Sequence, residues 1–95
     1  MTNKTRYLSS KEILNTILND VKYFYDYTFI IFGKTRPTGK TWLCKKLKSN
    51  KLKAIEVSKQ INDLINYKDK NNHLIIDFAN KTVIIILNKL IKRRW

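Results

Sequence analysis

Cysteine and histidine are almost absent from this chain of 95 residues, which contains one of each, Cys44 and His73. A lone cysteine cannot form an intramolecular disulfide, and one cysteine with one histidine cannot supply the ligands of a structural zinc site. The longest apolar run, Val83 to Leu87, is too short to cross a bilayer. The first residues contain no apolar stretch of a secretory signal peptide. We therefore expect a reducing compartment, the cytoplasm, or the host cytoplasm if the gene is viral.

Acidic residues are also few. The chain has 7 Asp and Glu against 20 Lys and Arg, which gives a net charge of +13 and a pI near 10.0. Such an excess favours an anionic partner: nucleic acid, nucleotide or acidic lipid. Part of it has another explanation, because Lys, Asn and Ile supply 39 of the 95 residues, as an AT-rich genome would produce. This composition and the shortness of the chain are two of the observations that favour an origin in a phage, virus, plasmid or small-genome bacterium.

Glycine and proline are concentrated in one place. The two glycines and the single proline lie between Gly33 and Gly39, which makes this segment the one marked loop of the sequence. The rest of the chain has no repeat, no Gly/Ser linker and no low-complexity block. We therefore expect a single small domain over residues 1–95.

The spacing of apolar residues predicts alternating helices and strands. The expected helices cover residues 10–25, a segment from Lys40, a short segment about 58–65, and a segment from Lys81; the expected strands cover 28–32, 54–57 and 73–77. The last helix is the favoured of two interpretations, since residues 83–86 alone suit a strand. The order predicts an α/β fold with a small, mostly parallel three-stranded sheet flanked by helices.

The segment from Phe29 to Thr41 resembles the Walker A loop of the P-loop NTPases, with a strand before it and a helix after it. In that loop, glycine lets the backbone turn around phosphate, lysine contacts the terminal phosphates, and the hydroxyl contacts Mg²⁺. The resemblance assigns these roles to Gly39, Lys40 and Thr41. The remaining predicted nucleotide-binding residues are Gly33, Lys34 and Thr38.

The loop departs from the family pattern. Five residues separate Gly33 from Gly39, where the pattern has four, so Lys34 stands at the position of the first glycine. Pro37 removes one N–H donor from the loop. A basic turn punctuated by glycine, with no phosphate to bind, is the alternative interpretation.

A second segment, Leu74 to Asp77, looks like a Walker B strand, in which an apolar strand ends on a carboxylate. The resemblance implies that Asp77 holds Mg²⁺ through a water molecule, beside Thr41 and opposite the phosphates. A buried strand that merely ends on an exposed Asp is the alternative. The resemblance covers residues 28–78. Among P-loop proteins, the short gap between the two motifs looks most like that of the compact superfamily 3 helicase domains of viral and plasmid replication initiators. It implies binding of ATP or GTP with Mg²⁺.

Hydrolysis is not predicted, because Phe78 follows Asp77 where that family has a second acidic residue, and no Glu is positioned to activate water. Whether the chain is an enzyme, and whether it forms an oligomer, therefore stays open. The competing hypothesis is a non-enzymatic basic protein that binds nucleic acid through a run of lysines, with aromatic residues stacking on bases. That run comprises Lys45, Lys46, Lys48, Lys51 and Lys53. A less favoured hypothesis places the basic C-terminal tail on a membrane surface.

Overall fold

The structure is a computed structural model that describes residues 2–7, 9–33, 38–57 and 71–88. Its elements are β1 (Thr2–Tyr7), α1 (Ser10–Leu18), α2 (Val21–Phe24), β2 (Thr28–Gly33), α3 (Lys40–Ser49), β3 (Lys53–Glu56), β4 (Asn72–Asp77) and β5 (Thr82–Leu87). The predicted helix over 58–65 and the basic tail lie outside the described residues, as do Lys34 and Pro37 of the loop.

The predicted first helix is present but divided in two. Ser9 caps α1, because its side chain accepts a hydrogen bond from the backbone N–H of Glu12 at 3.2 Å. The helix is interrupted at Asp20, whose backbone angles (φ −137°, ψ 45°) are not helical. Asn19 and Asp20 both have low helix propensity, since their short polar side chains compete for backbone hydrogen bonds. The expected continuous helix over 10–25 is therefore wrong at this position.

The described residues form a sheet of five strands in the order β1-β4-β5-β2-β3. Strand β2 pairs in parallel with both β5 and β3, whereas β4 pairs antiparallel with both β5 and β1. The α/β class is confirmed, but the expected three-stranded, mostly parallel sheet is wrong. The actual sheet is mixed, with a parallel half around β2 and an antiparallel half around β4.

Strand β5 replaces the predicted helix from Lys81. Its residues Val83 to Ile86 are β-branched, and the strand lies in the interior of the sheet between β2 and β4. Its side chains alternate between the main core, where Val83, Ile85 and Leu87 are buried, and the other face, where Ile86 is buried and Ile84 is half-buried, so both faces of the strand carry apolar residues. The strand interpretation of residues 83–86 is therefore correct. The same run has helical spacing only because nearly every position is apolar.

Strand β1 was not among the predicted elements. It is rich in polar residues and lacks apolar alternation, which is the signal that identifies a strand in a sequence. Its backbone pairs along the whole of β4, from Thr2 opposite Asp77 to Tyr7 opposite Asn72. The strand therefore belongs to the sheet through its backbone pairing, which polar sequences form as well as apolar ones.

The main core lies between one face of the sheet and the helices α1 and α3. Fully buried side chains from these elements include Ile13, Ile17, Phe29, Ile31, Leu43, Leu47, Val83, Ile85 and Leu87. A smaller cluster around Phe32 and Ile86 lies on the other face. No helix within the described ranges is long and apolar enough to cross a membrane.

Candidate nucleotide site

The candidate site begins where β2 ends, at the carboxyl edge of the parallel half of the sheet. Gly33 is buried there, and a Cβ atom added to it would lie 2.6 Å from the Thr38 hydroxyl oxygen. Thr38 therefore lies so close to the end of β2 that a side chain at Gly33 would have to displace its hydroxyl group. Close approach of this kind is the reason for a glycine at this position, and Thr38, which is buried, is the residue it approaches.

The loop closes on Gly39, which directly precedes α3. Gly39 has φ 86° and ψ 12°, a left-handed conformation that glycine adopts at little cost and other residues disfavour. Its carbonyl accepts a hydrogen bond from the N–H of Leu43 at 2.9 Å and so begins the helix. Among the described residues, no side chain caps the N-terminus of α3, and the first turn of the helix contains no acidic residue. The N-terminus of the helix therefore keeps its positive partial charge.

Lys40 is half-buried and extends back over the edge of the sheet. Its Nζ atom donates a hydrogen bond to the carbonyl oxygen of Val57 at 2.7 Å. The N–H of Val57 in turn donates to the carbonyl of Ile31 at 2.9 Å, which continues the pairing of β2 with β3. An ammonium group has three donors, so two remain for an anion. The chain thus holds a cation at the edge of the sheet near the loop.

Thr41 contacts a carboxylate at the same edge. Its hydroxyl donates to Oε1 of Glu56 at 2.6 Å. Glu56 is the last residue of β3, which runs parallel to β2 and therefore ends at the edge where the loop begins. The pair of hydroxyl and carboxylate oxygens is exposed to solvent. Oxygen ligands of this kind are those that Mg²⁺ prefers.

Asp77 lies at the opposite edge of the sheet. It pairs with Thr82, and Thr82 pairs with Thr28, the first residue of β2. The loop follows the other end of β2, roughly 16 Å away at about 3.3 Å per residue. A separation of about 16 Å is too large for Asp77 and Thr41 to hold one Mg²⁺ ion, even with a water molecule between the Asp77 carboxylate and the ion. The prediction that Asp77 lies beside Thr41 is therefore wrong.

Asp77 instead organises the turn between β4 and β5. Its Oδ1 atom accepts hydrogen bonds from the backbone N–H groups of Ala79 at 3.1 Å and Asn80 at 3.2 Å, and its Oδ2 atom accepts from the Asn80 side chain at 2.7 Å. These bonds from Asn80 hold the pKa of the Asp77 carboxyl below its usual 3.8. The alternative interpretation, a strand that ends on an Asp without a metal, agrees with this geometry.

Glu56 is not among the predicted site residues, because the Walker B resemblance assigns the carboxylate to the strand that ends at Asp77. The sequence does contain the signal: residues 54–57 are a predicted strand that follows β2 and an intervening helix, and such a connection makes the two strands parallel. Parallel strands end at the same edge of a sheet. A carboxylate at the end of that strand is therefore expected beside the loop, whereas a carboxylate that ends a hairpin strand is not.

A second polar residue at this edge, Asn88, is also not among the predicted site residues. Asn88 directly follows β5, whose last residue Leu87 pairs with Gly33. Asn88 is buried, and its N–H donates to the Asn72 side-chain oxygen at 2.9 Å, while its own Oδ1 has no hydrogen-bond partner among the described residues. The sequence does not indicate this residue, because the helix predicted from Lys81 runs through position 88, whereas in the structure Asn88 follows a strand. The loop edge thus holds a buried acceptor near Gly33.

Comparison of the chain with protein-family models, with curated protein sequences and with solved structures finds no match in any of the three. The assignment of the site therefore depends on its geometry. The described residues contain no group of three or more His, Cys, Asp or Glu side chains that could hold a metal ion. A Mg²⁺ ion that arrives with phosphates needs fewer, since it keeps several waters and takes one or two protein ligands.

Proposed function

We propose that the protein binds a nucleoside triphosphate, ATP or GTP, together with Mg²⁺ at the loop between β2 and α3. The observation that carries the proposal is the arrangement of Gly39, Lys40 and Thr41, in which a left-handed glycine starts a helix and the next two side chains reach the edge of the parallel strands. This arrangement supplies the bend, the cation and the hydroxyl that phosphate binding requires.

The residues present fit a nucleotide with its metal. Lys40 has two donors left for phosphate oxygens after its bond to Val57. Thr41 and Glu56 already place their oxygens together, so they are the two residues that would hold Mg²⁺. When bound, the ion neutralises phosphate charge. Because Gly33 has no side chain, Thr38 can lie close to the end of β2.

The proposal is confined to binding and replaces the metal residue predicted from the sequence. Glu56 takes the place of Asp77 beside Thr41, while the partial P-loop core consists of β2, α3 and the parallel strands β3 and β5. The resemblance to helicase domains supports nucleotide binding, and the proposal includes no hydrolysis step.

The test is a titration with a fluorescent ATP or GTP analogue in Mg²⁺, at a salt concentration of about 0.5 M that screens simple charge attraction. Lys40→Ala is expected to weaken binding by about 10- to 150-fold, the equivalent of about 1.5–3 kcal/mol for hydrogen bonds to charged groups. Lys46→Ala, an exposed lysine of the same helix, is the matched control and should leave affinity unchanged. Equal affinity of Lys40→Ala and the natural protein would refute the proposal.

The metal residues need a separate comparison. Glu56→Gln is expected to reduce the increase in affinity that Mg²⁺ provides, because it removes the carboxylate beside Thr41. Asp77→Asn makes the same chemical change at the opposite edge of the sheet and is expected to leave the Mg²⁺ effect intact. The reverse result would show that the sheet is arranged differently around the nucleotide.

A further inference from the structure

The outer face of α3 combines lysines with an exposed tryptophan. Trp42 is 39% exposed, and Lys45 and Lys46, three and four residues later, lie on the same side of a helix with 3.6 residues per turn. Trp42 and Lys46 are therefore about 6 Å apart along the helix axis. We call these three residues the α3 face.

The charge of this face is not balanced within the described part of the chain. Helix α3 contains no acidic residue, and no described carboxylate forms an ion pair with Lys45, Lys46 or Lys48. Lysines in the last turn benefit from the helix dipole, which accounts for Lys46 and Lys48. It does not account for Lys45 or for the exposed indole of Trp42. The face thus presents positive charge and a partly exposed indole together.

We infer that the α3 face binds single-stranded nucleic acid, with Trp42 stacking on a base and Lys45 and Lys46 contacting the phosphates beside it. Proteins that bind single strands without sequence preference combine aromatic platforms with a basic surface in this way. Because Lys45 and Lys46 are the helical neighbours of Trp42, one nucleotide can engage both kinds of contact.

A membrane surface fits this face less well. A helix that lies on a bilayer buries an apolar stripe in the lipid. The apolar stripe of α3 consists of Leu43, Cys44 and Leu47, and all three are buried in the core. The exposed side retains a single aromatic residue among lysines. A charged face without a free apolar stripe favours binding of a dissolved polyanion over binding of a membrane surface.

The inference is independent of the proposed nucleotide site. Lys40 and Thr41 reach the edge of the sheet, whereas Lys45 and Lys46 are exposed on the outside of the helix. A variant of one site therefore leaves the other unchanged, and Lys40→Ala is expected to bind a thymidine oligonucleotide normally. Failure of one proposal is thus distinguishable from failure of the other.

The first experiment measures binding of a labelled thymidine oligonucleotide by fluorescence anisotropy over a range of salt concentrations. The double variant Lys45→Gln/Lys46→Gln is expected to reduce the slope of log K against log salt by about 1.4, at about 0.7 per phosphate contact. Lys11→Gln/Lys22→Gln changes the same charge on exposed positions of α1 and α2 and is the matched control. Equal changes in slope for the two pairs would overturn the inference, because net charge alone would then explain binding.

The second experiment tests stacking. Trp42→Ala is expected to weaken oligonucleotide binding by about 5- to 150-fold, with partial recovery in Trp42→Phe. In a Trp95→Phe background, which leaves Trp42 as the single tryptophan, the oligonucleotide should quench its fluorescence. Unchanged affinity of Trp42→Ala would overturn the proposed contact. Binding to phosphatidylserine vesicles that depends on the α3 face, with none to the oligonucleotide, would assign the face to a membrane instead.

Discussion

The tight contact between Gly33 and Thr38 gives a sharp test of the loop geometry. A methyl group at Gly33 would lie 2.6 Å from the Thr38 Oγ1 atom, whereas ordinary contacts begin at 3.4 Å, so Gly33→Ala requires a displacement of about 0.8 Å. Thr38 is 4% exposed and has little space in which to move. We expect Gly33→Ala to lower the free energy of unfolding by about 1–3 kcal/mol, the usual cost of overpacking.

The cause can be isolated because one atom is responsible. The other neighbours of the added methyl, Lys40 Cδ at 3.5 Å and the Leu87 carbonyl oxygen at 3.7 Å, are at ordinary distances. Thr38→Ala removes Oγ1, so the double variant Gly33→Ala/Thr38→Ala should be more stable than the sum of the single changes predicts. Thr38→Val keeps an atom at the position of Oγ1 and should give no such relief. It is the matched control for the double variant.

The assay is urea denaturation of the four proteins of this cycle, with thermal unfolding as a second measure. Each kcal/mol corresponds to a change in Tm of about 4–8 °C for a chain of this size. A Gly33→Ala variant as stable as the natural protein would refute the close approach of the loop to β2. Additive effects of Gly33→Ala and Thr38→Ala would show that the destabilisation arises from another contact.

Two further predictions concern stability. Leu47 is 0% exposed in the core between α3 and the sheet, so Leu47→Ala should lower the free energy of unfolding by about 2–5 kcal/mol, while the exposed Lys48→Ala changes it by less than about 0.5 kcal/mol; chemical denaturation compares them. The Asp77 carboxyl, whose pKa is lowered by Asn80, stabilises the fold above its unfolded pKa of 3.8, and this contribution is lost as the pH falls through the lower folded pKa. Stability measured from about pH 6 to about pH 3 should therefore fall less steeply in Asp77→Asn, and an identical pH dependence would contradict the role given to the turn.

The sequence predicts those elements whose apolar pattern is unambiguous. The capped start of α1, the strand before Gly33 and the amphipathic helix from Lys40 all agree with the structure, because each is defined by local residues. Segment Val83 to Ile86 is different, since a run that is apolar at every position fits either period. Only the pairing of β5 with strands on both sides selects the extended form.

The residues of the candidate site also fall into those that local sequence predicts and those that depend on the whole sheet. Gly39, Lys40 and Thr41 are consecutive, so local sequence was sufficient to bring them together at the start of α3. Their acidic neighbour depends on which strands are parallel, and this is a property of the whole sheet. Asp77 ends a hairpin strand and Glu56 ends a parallel one, although both residues belong to predicted strands and the sequence alone treats them alike.

The mixed sheet also has a consequence for how the chain folds. Strands β4 and β5 are joined by a short turn and can pair within microseconds, as hairpins do. Pairing of β2 with β5 brings Thr28 to Thr82 and must close a long loop, which slows its formation. We therefore expect the hairpin to form early and the edge with Gly33, Lys40 and Glu56 to assemble late. A nucleotide that binds this edge would slow unfolding far more than it accelerates folding.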